Sequence, residues 1–550
     1  MKYEEEGLFW RPFGGCGTND MWASTHEYTG VTRDEKTGKL VQESILVDLG
    51  AFVNASSKGE GQYNAVVPGV GGLIPVPGQE NDGEPKAKAL LLTHAHADHI
   101  GGVVEYALMG AKLPPIYASG YTLNILKNEF ASRGLDWKKY LNPQDLHEIN
   151  AKDVLQIGNM TVEVGAAPHS IPGSFCFKIK TPNATVFHSG DMKEEKISYI
   201  GEGADLSQLQ NMGKDGIDFA VMDACDTKYE GHTRSEADVH DAYVDTFNGS
   251  GKGRQVVAVV PAAHLERIAT VLQAAKDAGR DVVIDGGPFM IAQLTGLNEG
   301  ELKKRFPNLR AAGEVTDRSN AVLITSGIHG LSNGKNTELS PLVDALAHHR
   351  KYDKMDDNAL ILVGHAKENL SPLLADKELY PDVTIEKNPD LHVPGHAQEE
   401  DFMNLLRALD VKHVAPVHVG HKYGEDIRKK LIDGHQADPS APLPMSRVLR
   451  NGDVVRIVHG QTPQIVETRD VDAYCLKHEE KTGENGEKIL SPAEKPERRS
   501  YRDLGINTEV NDTEDLKIRA EIQYNKDKTL KKRAAGKAAA KRRKRSGNGR

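Results

Sequence analysis

Apolar runs punctuate this chain in two styles. In its first third, short runs lead straight into polar chemistry. ESILVDLG (43–50), AKALLLT (87–93) and VFHSGD (186–191) each predict a buried strand with Asp or His at its C-terminal end. Between 255 and 287 the style changes. QVVAVV predicts a strand, and HLERIATVLQAAKDAG predicts a helix with Leu265, Ile268, Leu272 and Ala275 on one face. DVVIDGG predicts a second strand, which completes a βαβ unit. AVLITSG (321–327) and NALILVGHA (358–366) continue the alternation, so residues from about 205 to about 390 predict a second α/β domain. The text then turns histidine-rich, in LHVPGHAQEEDF and HVAPVHVGHK. After NGDVVRIV (451–458) the periodicity fades, and 476–500, rich in Glu, Lys, Gly and Pro, reads as a linker. No internal repeat is visible.

Length and composition narrow the class. A chain of 550 residues exceeds one compact core and predicts two or three domains. No apolar stretch is long enough to span a bilayer, and the N-terminus, MKYEEEGLFW, lacks the basic-then-apolar order of a signal peptide. Cys16, Cys176, Cys225 and Cys475 lie far apart with no CxxC pair. That spacing argues against a disulfide scaffold and a cysteine-ligated metal, and for a reducing, cytoplasmic setting. Residues 526–550 hold twelve Lys/Arg and one Asp, a net of +11, so with −10 overall the rest of the chain carries −21. Such a tail on an acidic body predicts contact with nucleic acid.

The densest chemistry is LLLTHAHADHIGG (90–102). Neutral imidazole and carboxylate suit zinc and related divalent ions such as manganese. His94 and His96, two apart at a strand end, point the same way and can share one ion. Asp98 and His99 follow in a turn leading into the helix IGGVVEYALMG, where they could face a second ion, and Gly101 and Gly102 let that helix pack closely. Further ligands must come from distant strand ends: His169 in APHSIPGS, Asp191 in VFHSGD with two oxygens able to bridge, and His418 in VAPVH. His188, His240 and His264 are read as ordinary structural histidines.

HxHxDH at 94–99, with Asp48, His169 and Asp191 in the expected order, resembles the signature of the metallo-β-lactamase superfamily. Further stretches resemble the β-CASP nucleases and, within them, the ribonuclease J family. They are FGGCGTND (13–20), HSGDMK (188–193), VMDACDTKYEGHTRSE (221–236), HVPGH (392–396) and APVH (415–418), together spanning about 8–460. The resemblance implies an αββα sandwich of metallo-β-lactamase type in two parts, 1–205 and 391–460. A Rossmann-like α/β β-CASP domain, 206–390, is inserted between them, followed by a linker or short segment (461–525) and a basic, disordered tail (526–550).

The resemblance also implies roles. Two divalent ions, zinc or else manganese, are held by His94, His96 and His169 on one side and by Asp98, His99 and His418 on the other, with Asp191 bridging. Asp48 orients ligands, Asp223 supports the site through a histidine, and His392 and His396 contact the scissile phosphate, one of them aiding leaving-group protonation. Asp98, Asp48, Asp223, His392 and His396 form the catalytic set. Two departures stand out: Ala224-Cys225-Asp226 replaces the family's frequent Ser-Thr-Asn, and no oligomerisation domain is recognisable after 460, which leaves a homodimer an open expectation.

These readings predict a metal-dependent ribonuclease cleaving single-stranded RNA; the resemblance implies 5′-to-3′ exonucleolysis, with endonucleolytic cuts as an open second mode that the spacing does not separate. A second histidine pair beside the ions suits phosphodiesters, since a lactam or thioester would not need it. Arg234, Lys228, Arg267 and Lys422 are candidates for a basic cleft. A β-CASP DNA nuclease and an RNA-binding protein with an inactive site are the alternatives.

Overall fold

The computed structural model describes residues 3–17, 23–53, 64–78, 83–204, 206–285, 287–326, 355–356, 358–364, 384–482, 488–492, 495–501 and 503–504. The basic tail at 526–550 and residues 18–20 of the FGGCGTND stretch lie outside them.

Two sheets face each other across an apolar core. The first has eight strands, in the order Gln464–Thr468, Asp453–Ile457, Gly7–Gly14, Thr25–Arg33, Leu40–Val47, Ala87–Leu91, Ile116–Ala118 and Leu146–Glu148. The second has seven: Leu443–Pro444, His413–Val417, Phe219–Asp223, Ala184–His188, Phe175–Thr181, Met160–Ala166 and Val154–Ile157. Alternation along the strands sends Leu8, Trp10, Tyr28 and Ile45 from one sheet against Val162, Phe177, Val186 and Phe219 from the other. Helices Ala97–Leu108 and Gly120–Ser132 cover the outer face of the first sheet, and helices Leu206–Gly213, Glu399–Ala408 and His421–Ala437 that of the second. The layers are therefore αββα.

Strands Phe219–Asp223 and His413–Val417 are parallel neighbours, although some 190 residues separate them in the chain. Between them the chain builds an all-parallel five-stranded sheet, in the order Asp281–Ile284, Ala321–Thr325, Val256–Val259, Leu360–Val363 and Thr384–Lys387. Its three central strands are apolar on both faces, as burial under helices requires, and helices Glu236–Asn248 and Leu265–Asp277 pack on it. The inserted α/β sheet expected from the periodicity is thus present. The strand Phe219–Asp223, however, assigned from sequence to the insert that starts at 206, belongs to the sandwich.

The first helix sits unusually close to the strand ends. A methyl group on Gly102 would lie 2.6 Å from the Gly50 carbonyl oxygen, so only glycine permits this approach. Backbone bonds fix it further: Leu49 N donates to His99 O at 2.9 Å and Ser24 N to Asp98 O at 2.7 Å.

The described residues of the stretch read as a linker form strands. Asp472–Leu476 pairs with Ala65–Pro68 and with Glu497–Ser500, and His478–Thr482 pairs with Lys488–Pro492. Charged outward positions hide the period-two pattern there. His478 Nε2 meets Glu105 Oε2 at 2.8 Å, and Arg133 Nη1 donates to Glu105 Oε1 at 2.8 Å, which pins this segment to the first helix. Burial pushes the Glu105 carboxyl up, but His478 and Arg133 outweigh it and hold the group below its usual range. No helix among the described residues is long and apolar enough to cross a membrane.

Glu105→Ala leaves Arg133 and His478 without their buried anion and should destabilise the fold by about 3–5 kcal/mol in urea denaturation. Because the folded carboxyl is depressed, its contribution is complete above the ordinary glutamate range and fades as pH falls through the folded value, so the gap between wild type and variant should shrink in acid.

Candidate metal centre

Strand ends and turns of both sheets meet at one edge of the sandwich. Asp48 follows Leu40–Val47, Thr93 to His96 follow Ala87–Leu91, and Asp98 and His99 form the first turn of helix Ala97–Leu108. From the second sheet come His169 after Met160–Ala166, Asp191 after Ala184–His188, Asp223 at the end of its strand and His418 after His413–Val417. Asp48 (φ 60°) and His418 (φ 57°) are left-handed without being glycine, a strained backbone held at the site itself.

Donor atoms converge in overlapping groups. His94, His96, His169 and Asp191 each present a donor atom within 4.8 Å of the others, and so do Asp98, His99 and His418. His96 Nδ1 lies 3.0 Å from His94 Nε2 and 3.2 Å from His169 Nε2, so three ring nitrogens aim at one point. Asp191 stands between the groups: Oδ2 is 3.7 Å from His94 Nε2 and 3.3 Å from His99 Nε2, and Oδ1 is 3.7 Å from His418 Nδ1. His418 Nε2 lies 3.2 Å from Asp98 Oδ2. The buried His99 Nε2 makes no hydrogen bond of acceptable geometry. Converging imidazole nitrogens, an orphaned buried nitrogen and carboxylates between them form a donor set that fits divalent cations.

An outer ring of hydrogen bonds aims the donors. Asp48 Oδ2 meets His99 Nδ1 at 2.7 Å while Asp48 Oδ1 accepts the Thr93 N–H at 2.7 Å. Thr93 Oγ1 reaches His94 Nδ1 at 2.9 Å. His169 Nδ1 donates to Gly395 O at 2.7 Å, and His96 Nε2 lies 3.4 Å from Ala263 O and 3.3 Å from Ser170 Oγ. Asp223 Oδ2 meets His396 Nδ1 at 2.8 Å, and Asp223 Oδ1 lies 3.6 Å from His418 Nδ1, so this carboxylate acts through two histidines.

Charge balance divides the histidines. Burial opposes the charged forms of His99 and His418, but Asp191 first, and then Asp48 or Asp223 with Asp98, hold both well above the usual range. His94 and His169 go the other way: burial, then neighbouring imidazoles, keep them neutral and ready to donate a lone pair. Asp191 is held well below the carboxylate range by His418 and His99 in spite of its burial. Next to the cluster, the buried rings of His26 and His188 lie 4.9 Å apart, and burial pushes His188 down to about 3.

All seven ligand candidates therefore share one pocket, with Asp48, Asp223 and His396 against it. His392 is not among the converging donors; its ring lies 6.4 Å from that of His264. The basic-cleft candidates divide. Arg234 is half-buried and pairs with Asp390 at 2.6 Å, whereas Lys228 and Lys422 lie over the rings of Tyr229 and Tyr423. Arg267 is 1% exposed and lines no surface. Its helical spacing gave no sign of that. Sequence reasoning also passed over Thr93, Gly395 and Cys225. Cys225 places its sulfur with His396 and His418 in a further donor group, although its isolation in the text argued against cysteine as a ligand. Thr93 stands beside His94 and could have been suspected; Gly395 acts through its backbone, which carries no sequence signal.

Comparison with known proteins agrees with this geometry. The family described as Beta-lactamase superfamily domain matches residues 67–234. Ribonuclease J of Synechocystis sp. is 27% identical over 450 residues, covering 80% of this chain and 66% of that protein. Ribonuclease J of Pyrococcus abyssi is 29% identical over 351 residues, covering 60% of this chain and 74% of that protein. The chain thus spans about two thirds of the first relative's length and three quarters of the second's. A crystal structure of a protein of unknown function from Enterococcus faecalis shares the fold, with a TM-score of 0.51 at 14% identity, over 82% of this chain and all of that one. The αββα sandwich, the parallel insert and the histidine-aspartate pocket at the sandwich edge thus accompany a match to a beta-lactamase superfamily domain over residues 67–234 and sequence similarity to ribonuclease J proteins.

Proposed function

We propose that this protein is a metal-dependent ribonuclease that hydrolyses phosphodiester bonds of single-stranded RNA, as a 5′-to-3′ exonuclease that also cuts internally. The observation that carries the reading is His396, bound to Asp223 and only 4.0 Å from Asp191: a proton-bearing histidine set against a two-ion donor set. Burial works against its charge, but Cys225 and Asp223 outweigh that and raise it to about 10. Asp223 occupies Nδ1, which leaves Nε2–H to meet a phosphate oxygen and to deliver a proton toward the leaving group.

His94, His96 and His169 would hold one ion and Asp98, His99 and His418 the other, with Asp191 placed between the two groups. Two such ions, when bound, acidify water and neutralise charge on the phosphoryl group. Asp48 and Asp223 keep the histidines aimed. His392 forms a second contact to the phosphate from the inserted-domain side. Five imidazoles in the donor set favour zinc, with manganese as the competitor. Four free, buried cysteines support a reducing, cytoplasmic setting, and the tail at 526–550 supplies a basic arm for RNA. We take the sandwich as 1–205 with 391–460, its first part extended to Asp223, around the inserted domain. A homodimer remains the assembly to test.

Treatment with a chelator should abolish release of nucleotides from 5′-monophosphorylated single-stranded RNA, and zinc or manganese should restore it. Metal analysis of the purified protein identifies the native ion. Equal or faster cleavage of a matched DNA strand would reverse the substrate assignment, and a metal-loaded protein that binds RNA without cutting it would make the site vestigial.

Asp48→Asn removes the charge that orients His99 and should lower metal affinity or activity by about 10–100-fold. His96→Ala removes a direct ligand and should cost at least as much. Metal content by mass spectrometry, read beside the rate, checks both.

A further inference from the structure

Arg267 belongs to none of the motifs, yet its guanidinium is fully enclosed. It sits in the first turn of helix Leu265–Asp277, and all five of its N–H groups are directed at acceptors. Nε and Nη2 grip Glu236 as a fork, at 3.1 and 2.9 Å. Nη1 donates to Leu391 O at 2.7 Å and approaches His392 Nδ1 at 3.3 Å, and Nη2 reaches Val393 O at 3.3 Å. One side chain thus holds the carbonyls on both sides of His392 and the histidine ring between them.

Glu236 is itself fixed. Thr270 Oγ1 donates to it at 2.6 Å, Lys193 Nζ lies 3.8 Å away, and the Glu236 backbone N–H donates to Glu195 at 2.8 Å. Lys193 comes from HSGDMK and Glu236 from GHTRSE, so the sandwich edge, the inserted domain and the 391–393 loop are joined through the Arg267–Glu236 pair.

We propose that Arg267 is a positioning residue for His392. This rests on the reading of His392 as a phosphate contact. A guanidinium cannot give up a proton, so a ring nitrogen facing it must accept. His392 Nδ1 therefore carries the lone pair and Nε2 carries the hydrogen, the tautomer a histidine needs to donate to a phosphate oxygen. Lysine at 267 would balance Glu236, but as a compact ammonium it cannot bridge three consecutive residues and a carboxylate fork.

The test is a double-variant cycle on the full chain loaded with zinc, with single-turnover cleavage of 5′-monophosphorylated single-stranded RNA as readout. Arg267→Lys should lower the cleavage rate by about 10²-fold, the cost of misplacing a group by about 1 Å, with little change in the half-saturating RNA concentration and in metal content. His392→Ala should lower the rate as well, and Arg267→Lys added to it should cost nothing more. Glu236→Gln, which keeps the side chain's size, should act in the same direction as Arg267→Lys and keeps the test open if the lysine variant folds poorly. Long-range proton–nitrogen spectra of histidine-labelled protein, with the His392 signal assigned by its loss in His392→Ala, should show the Nε2–H form in wild type and a mixture in Arg267→Lys. Multiplying losses in the double variant, or an unchanged tautomer, would overturn the positioning role and leave His392 as a phosphate contact. A fully active His392→Ala would overturn both.

Discussion

Three buried carboxylates, Asp48, Asp191 and Asp223, gather at one edge of the sandwich with the half-buried Asp98 beside them, and their mutual repulsion governs how everything around them is arranged. Carboxylates this close repel one another, and removal from water makes each costly unless positive charge is supplied within a few ångströms. The surrounding histidines divide accordingly. Carboxylates favour the charged form of those beside them, burial favours the neutral form of those packed among other imidazoles, and a histidine of the first kind gives up its proton when it ligates a cation. The same field that stabilises an imidazolium stabilises a bound divalent cation, so electrostatic balance and metal chemistry ask for one arrangement.

Holding that arrangement determines much of the fold's local detail. The positive φ at Asp48 and His418 re-aims both chains as they leave their strands. The glycine approach at Gly102 draws the first helix in, so that Asp98 and His99 enter the pocket from its N-terminal turn. The C-terminal strands then brace the far end of that helix through His478 and Glu105. A segment with little apolar content of its own thereby supports the element that carries two of the seven proposed ligands.

The inserted domain is more than a roof over this pocket. Ala263 O faces His96 from the insert, and where the chain returns to the sandwich Gly395 O fixes the ring of His169 and His396 meets Asp223. The central strands of the inserted sheet are buried on both faces, and the first of them leads toward the Ala263 carbonyl.

The inventory of the pocket is legible in the order of residues alone. HAHADH could not be mistaken for a surface turn, and Asp48, His169, Asp191 and His418 each close a short apolar run, because a sheet edge is where such runs must end. That order also showed the parallel insert, since a strand buried on both faces and an amphipathic helix leave different periods. Only the tertiary structure decided which groups aim the ligands. Thr93 and Gly395 act through a hydroxyl and a carbonyl that any sequence context can supply, and Cys225 joins His396 and His418 across more than 160 residues. Arg267 had the text of a solvent-facing helix residue, yet Glu236 and the 391–393 carbonyls enclose it. Periodicity records which face of an element is apolar; it does not record whether a charged residue on the other face meets water or a partner from a distant segment. That is a property of how segments pack, and only the packed chain contains it.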